Sequence, residues 1–136
     1  MDIFKAFATD PKLELEGRWV RIGGTDEEPA ELLVARLGTK RYNAVLAQQR
    51  EANKTLLDSK DKPAAEAKLD DIICHTLATC VLLGWRGITY KGDAAYSYDS
   101  AKAMLALRDF RDLVEVESYK FQSYLLDQQD ADAKNS

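Results

Sequence analysis

Two short segments in the first third of the chain alternate apolar and polar residues with a period of two, the second only in part, and this pattern is typical of β-strands. Residues 13–16 and 19–22 follow this alternation, so we predict a short β-hairpin there. The segment 23–29 is rich in turn-forming and charged residues and predicts a loop. The branched residues of 31–37 favour a third strand, although the spacing of their leucines also fits a turn of helix. Together these segments predict a small antiparallel β element over about residues 12–37.

Beyond Gly38 the apolar residues recur at helical spacing. We predict helices near 39–57, 64–83, 99–107 and 110–126. Thr39 has the side chain of an N-cap, and Gly84 has the position of a C-cap after the second of these helices. The predicted fold class is therefore α+β, with a small N-terminal antiparallel β element followed by a mainly helical part of about four helices.

The length and composition of the chain indicate one compact domain. The chain has 136 residues, of which 46% are hydrophobic, which is enough for a single core. We predict that this domain spans residues 1–126. Residues 127–136 contain no apolar anchor and predict a disordered acidic tail.

Charge and candidate chemistry narrow the possible functions. The net charge is −4, which argues against nucleic-acid binding, and no apolar run is long enough to cross a membrane. Cys74 and Cys80 lie six residues apart in a predicted helix, too far for a disulfide, so we expect reduced and buried thiols. His75 points away from Cys74 and predicts no nucleophile–base pair. We therefore expect no catalytic residues, no metal site, no cofactor and no enzymatic activity.

Aromatic residues are the most informative side chains. Trp85 follows the second predicted helix, and we expect it to cover one end of the core. For Tyr90, Tyr96 and Tyr98, packing on the core and anchoring a partner remain equally open.

The last predicted helix carries aromatic residues that cannot all lie on one narrow stripe. Tyr119, Phe121, Tyr124 and Leu125 are therefore candidate contacts with a helical partner held in an apolar groove. The alternative is that Phe121 and Leu125 pack inward and that the two tyrosines lie at the boundary of the core.

The order of these features resembles that of tail assembly chaperones of long-tailed bacteriophages. The resemblance covers most of residues 13–125. It includes the pattern Trp-x-Gly-Ile, followed by Tyr-Ser-x-x-x-Ala and a closing helix that ends near an aromatic residue. The residues that carry it are Tyr42, Trp85, Gly87, Ile88, Tyr96, Ser97, Ala101, Met104, Leu105 and Phe121.

The resemblance implies a non-enzymatic role in virion assembly. Chaperones of this kind bind the helical tape measure protein in the host cytoplasm, keep it soluble before the tail tube polymerises, and are absent from the finished virion. A longer form, made by ribosomal slippage, adds a second domain thought to recruit tail tube subunits. The end of this chain, Ala133-Lys134-Asn135, permits a slippery A-AAA-AAC sequence in the coding DNA, and an ordinary frayed C-terminus is equally compatible.

Two other functions remain open from the sequence. One is a structural virion component, such as a tail terminator or head–tail connector protein, which would form a ring. The other is a small regulator that binds a host protein.

Overall fold

A computed structural model describes residues 1–126, and the segment 127–136, for which the sequence predicts an acidic tail, lies outside the described residues. The elements alternate between helices and short strands. In chain order they are α1 (Ile3–Phe7), α2 (Pro11–Glu16), β1 (Arg18–Gly24), β2 (Pro29–Val34), α3 (Lys40–Ala52), α4 (Lys54–Leu57), α5 (Lys62–Cys80), β3 (Leu82–Arg86), α6 (Tyr98–Leu105), α7 (Arg108–Tyr119) and a 3₁₀ helix (Phe121–Tyr124).

The three strands form one antiparallel sheet in the order β1-β2-β3. β1 and β2 make a hairpin whose loop is closed by a hydrogen bond from the Thr25 amide to the Glu28 carbonyl, 3.1 Å apart. The mixed α+β class and the early antiparallel β element are thus confirmed. The strand predicted over residues 31–37 is present as β2, and the remaining strand of the sheet, β3, comes from the chain after α5.

The predicted strand over residues 13–16 is wrong, because this segment is the helix α2. Asp10 caps the helix with a side-chain oxygen that accepts hydrogen bonds from the amides of Lys12 and Leu13. Pro11 occupies the first turn, where the missing amide proton costs nothing. These start signals outweigh the alternation of four residues, so the hairpin is formed by β1 and β2 instead.

The prediction that Gly84 caps a helix is also wrong. α5 ends at Cys80, and Gly84 lies within β3, where it faces Leu33 of β2. One edge of β2 pairs with β1, and the segment that follows α5 pairs with the other edge. Pairing there buries Leu82 completely and leaves Trp85 7% exposed. This non-local pairing overrides the local cap signal.

The remaining helix predictions are confirmed with small changes. The Thr39 hydroxyl accepts a hydrogen bond from the Tyr42 amide at 3.2 Å, as an N-cap does. The helix that follows is broken at Asn53 into α3 and α4. The predicted helix 110–126 begins earlier and stops at Tyr119, because Lys120 adopts an extended backbone conformation (φ −76°, ψ 96°).

The core lies between the inner face of the sheet and the helices. α5 is the central helix, and it packs against α3, α4, α6 and β3. Its side chains Leu77 and Ile72 are fully buried, as are Leu32 and Val34 of β2. α7 closes the core with Val114, so its opposite side faces outward.

Candidate functional site

Of the four predicted contact residues, one is well exposed, two are partly buried and one is fully buried. Tyr119, the last residue of α7, is 76% exposed. Phe121 is half-buried. Tyr124 is fully buried and therefore cannot contact a partner, which corrects its assignment as a contact residue. Leu125 is partly buried and forms an isolated β-bridge with Thr9.

The backbone at the end of α7 explains why Tyr119 is exposed and Tyr124 is buried. A continuous helix would place Tyr124 five residues beyond Tyr119 in helical phase. The extended conformation of Lys120 changes the direction of the chain, and the 3₁₀ helix that follows turns Tyr124 into the core. Tyr119 is thus left on the outside.

An apolar groove lies beside the end of α7. Its volume is about 510 Å³, and its apolar side chains are Leu37, Val116, Tyr119 and Phe121. Val116 is 57% exposed, although it is an aliphatic residue on a well-formed helix. The groove therefore presents apolar area that the described part of the chain leaves uncovered.

α1 extends this apolar area. The Phe7 ring stacks on the Phe121 ring, with centroids 5.1 Å apart. Phe7 is 52% exposed, and its neighbours Ile3 and Phe4 are 63% and 74% exposed. Below, "the α7–α1 surface" means Val116, Tyr119, Phe121 and Phe7 together with Ile3 and Phe4.

Backbone hydrogen bonds hold α1 next to the 3₁₀ helix. The Leu126 amide donates to the Ala8 carbonyl at 3.3 Å, and the Asp10 amide donates to the Tyr124 carbonyl at 2.8 Å. α1 was not predicted from the sequence. The available signals were the i,i+4 spacing of Ile3 and Phe7 and the capping residue Asp2, whose side chain accepts from the Phe4 amide at 3.0 Å.

Acidic residues flank the α7–α1 surface along α7. Asp109 and Asp112 are exposed, and Glu115 lines the groove. Burial raises the pKa of Glu115, against the lowering effect of the Arg111 charge. Glu117 is neutralised by Lys120, whose ammonium nitrogen lies 2.7 Å from its carboxylate. Of the two charged residues that line the groove, Glu115 and Lys120, Lys120 is already paired with Glu117.

The residues of the Trp-x-Gly-Ile and Tyr-Ser-x-x-x-Ala patterns lie elsewhere, around β3 and the start of α6. Trp85 packs edge-to-face on Tyr96 with centroids 4.8 Å apart, and its indole N–H donates to the Ala94 carbonyl at 3.2 Å. The Tyr96 hydroxyl donates to the Leu82 carbonyl at 2.8 Å. Burial raises the pKa of Tyr96. These contacts assign Trp85 and Tyr96 to packing.

The other residues of this pattern also have local structural contacts. Gly87 passes close to Pro29, and Ile88 packs partly buried against the core. The Ser97 hydroxyl caps α6 by accepting from the Ser100 amide at 3.0 Å. This cluster positions the sheet and α6, and it is separate from the α7–α1 surface.

Other candidate chemistry is accounted for by local contacts. Cys74 and Cys80 are free and buried. His75 Nδ1 lies 2.5 Å from the Tyr98 hydroxyl. Within residues 1–126, no three His, Cys, Asp or Glu side chains come together in a way that could hold a metal ion. No helix among these residues has the length and apolar character needed to cross a membrane.

Comparison with known proteins gives one family. The model of the YdaY prophage protein family matches residues 37–135, which is more than two thirds of the chain. The match includes α7 and the groove and excludes α1, β1 and β2. No curated protein and no solved structure matches the chain.

Proposed function

The chain belongs to the YdaY prophage protein family, and from this premise we propose that it is a tail assembly chaperone that binds the tape measure protein and keeps it soluble. Membership establishes a phage-derived protein. The step to tail assembly rests on the ordered resemblance described above and on the accessible α7–α1 surface.

The observation that carries this proposal is the exposure of adjacent apolar side chains along one groove. Val116 and Tyr119 are one helical turn apart on α7, and they are 57% and 76% exposed. A groove with this spacing fits the apolar stripe of an amphipathic helix. A tape measure protein that awaits its tube exposes such stripes, and covering them prevents aggregation.

Charge around the groove supports a client with basic residues beside its apolar stripe. Glu115 lines the groove, and Asp109 and Asp112 are exposed on the same helix. Acidic residues at the rim of an interface favour encounter with basic partners and add solubilising charge to the complex.

On this proposal the protein binds the tape measure protein, catalyses no reaction and uses no cofactor. Its place of action is the cytoplasm of the host cell, and it leaves before the virion is complete. A longer form made by slippage would carry the domain that recruits tail tube subunits.

Co-expression with the tape measure protein of the same prophage tests the proposal. We expect the wild-type chain to move the tape measure protein from the pellet to the soluble fraction. Val116→Asp and Tyr119→Ala should abolish or strongly reduce this effect. Leu56→Asp is the matched control, because Leu56 is a 40% exposed aliphatic residue on α4, away from the groove.

Two results would contradict the proposal. In one, the tape measure protein is equally soluble with the wild type, Val116→Asp and Leu56→Asp. In the other, the purified chain forms a closed ring that co-purifies with virions, which would favour the structural alternative of a tail terminator or connector. Circular dichroism of each variant separates loss of binding from loss of folding.

A further inference from the structure

α1 is attached to the rest of the fold near its C-terminal end. The Phe7 ring stacks on the Phe121 ring with centroids 5.1 Å apart, and the Ala8 carbonyl accepts from the Leu126 amide at 3.3 Å. Among the described elements, α1 packs closely on no strand and on no other α-helix. Its first residues therefore extend beyond the point of attachment.

The apolar side chains of α1 lie on one side of this short helix. At about 100° per residue, Ile3 lies about 40° from Phe7 around the helix axis, and Phe4 lies about 60° from Phe7. Phe7 meets Phe121, whereas Ile3 and Phe4 are well exposed. The face of α1 that docks on the fold thus continues past its docking point and is mostly uncovered.

Phe121 joins this face of α1 to the groove. Its ring stacks on Phe7, and the same residue lines the groove beside Val116 and Tyr119. The uncovered apolar area of the free chain therefore runs from α7 to α1 through one aromatic residue.

α1 needs little free energy to detach. It has five residues, far fewer than an isolated helix needs to be stable, and none of them is buried. The Phe7 ring that holds it is itself half exposed. Segments with so few buried contacts open locally without unfolding the rest of the protein. In the free chain α1 should therefore exchange between a docked and a detached position.

We propose that α1 is a strap that closes on a client helix held in the groove, with Ile3 and Phe4 as its contact residues. This inference rests on the proposed function. The client supplies the apolar surface that Ile3 and Phe4 lack in the free chain, so binding favours the docked position of α1 over the detached one. Because the strap closes after the client has bound, it acts mainly on the rate of dissociation.

Hydrogen exchange of the α1 amides tests whether the strap closes. The Ala6 and Ala8 amides donate to the Asp2 and Phe4 carbonyls at 3.0 and 2.7 Å, so their exchange reports on the order of α1. We expect rapid exchange in the free chain. In the complex purified after co-expression with the tape measure protein, exchange should be at least about tenfold slower. Equal exchange rates in the two samples would overturn the proposal.

A chase experiment measures what the strap contributes to binding. Fluorescently labelled chain in the purified complex is chased with an excess of unlabelled wild-type chain. Labelled Phe4→Ser should be released at least about tenfold faster than wild type, because burial of a Phe side chain on a partner is worth that factor. Leu15→Ser is the matched control, since Leu15 is 47% exposed on α2, and it should be released at the wild-type rate.

The results separate the strap from the proposed function. If Val116→Asp abolishes the solubility of the tape measure protein while Phe4→Ser and Ile3→Ser are released like wild type, the strap is wrong and the chaperone function stands. Slower release of Phe4→Ser would show that α1 competes with the client, which also overturns the strap. If the wild-type chain does not solubilise the tape measure protein, both proposals fail. A free dimer that Phe4→Ser dissociates would assign α1 to self-association instead.

Discussion

The hydroxyl of Tyr124 donates a hydrogen bond to the backbone carbonyl of Val34 across 3.1 Å. This contact joins the 3₁₀ helix to the end of β2, 90 positions earlier in the chain. Tyr124 is fully buried, and its own carbonyl accepts from the Asp10 amide at 2.8 Å. One residue thus connects the sheet, the N-terminal segment and the end of α7, next to the α7–α1 surface.

Tyr124→Phe should lower the free energy of unfolding by about 1–3 kcal/mol. The substitution keeps the ring and leaves the Val34 carbonyl without this donor in a buried position. Urea unfolding followed by far-UV circular dichroism measures the change. A change below a few tenths of a kcal/mol would mean that water or another group replaces the hydroxyl.

Stability should fall at high pH, and Tyr124 should account for much of the loss. Burial raises the pKa of Tyr124 to about 12 from its ordinary value of 10.0. Between these values the unfolded chain loses the phenolic proton and the folded chain keeps it, so the free energy of unfolding decreases as the pH rises. The expected contribution is about 2–3 kcal/mol from pH 10 to pH 12.

The difference between wild type and Tyr124→Phe isolates this contribution. Burial also raises the pKa of Tyr42 and Tyr96, so both proteins should lose stability in this range. The wild type should lose more. Parallel curves for the two proteins would show that Tyr124 does not titrate as its burial requires.

The two tryptophans should differ strongly in their contribution to stability. Trp85 is 7% exposed and packs on Tyr96, so Trp85→Ala should cost about 3–5 kcal/mol. Trp19 is 40% exposed on the outer face of the sheet and lies under the Arg86 guanidinium, so Trp19→Ala should cost only about 1 kcal/mol. Thermal and urea unfolding of both variants test this order, and equal costs would contradict it.

Gly87 should tolerate no side chain. Its φ of +69° lies in the left-handed region, and an added Cβ would come within 2.2 Å of the Pro29 carbonyl oxygen. Gly38 is the control, with a φ of +81° and no atom within 4 Å of the added Cβ. Gly38→Ala should therefore cost only the backbone strain, about 1–2 kcal/mol, and Gly87→Ala clearly more. Similar unfolding midpoints for the two variants would show that β2 moves aside at no cost.

Elements with strong local signals could be predicted from the sequence. The helix start at Thr39 and the long apolar face of α5 are local features, and both are present in the structure. β3 could not be predicted in this way, because residues 82–86 become a strand only when the open edge of β2 lies beside them. Gly84 therefore lies within a strand and is not the helix C-cap that its position after an apolar helix indicated.

Only part of the α7–α1 surface could be predicted from the sequence, because the rest depends on contacts between residues that are distant in the chain. Tyr119 belongs to a helix with a clear period, so its exposure follows from its place on α7. The burial of Tyr124 depends on the turn at Lys120 and on contacts with Val34 and Asp10, which are distant in sequence. α1 has only five residues, and its Phe7 stacks on Phe121, a contact that no local pattern contains.

The ionised side chain of Glu115 should lower the free energy of unfolding at neutral pH. Burial raises the pKa of its carboxyl group, and the charge of Asp112 acts in the same direction, so the folded chain holds this proton more tightly than the unfolded chain. The ionised form above that pKa is therefore a cost to folding, and Glu115→Gln should raise the unfolding midpoint at pH 7 by a small amount. The gain should vanish in acid, where both proteins carry a neutral group at this position.

Glu117→Gln is the matched control for Glu115→Gln. Glu117 is paired with Lys120 at 2.7 Å, so its neutralisation should give no increase in stability. If the α7–α1 surface binds a client with basic residues, Glu115→Gln should also weaken that binding while it stabilises the free chain. The attraction of a basic client would then explain why the Glu115 carboxylate, which destabilises the free chain, lies at the edge of an apolar groove. Stabilisation without any loss of tape measure solubility would show that Glu115 takes no part in binding.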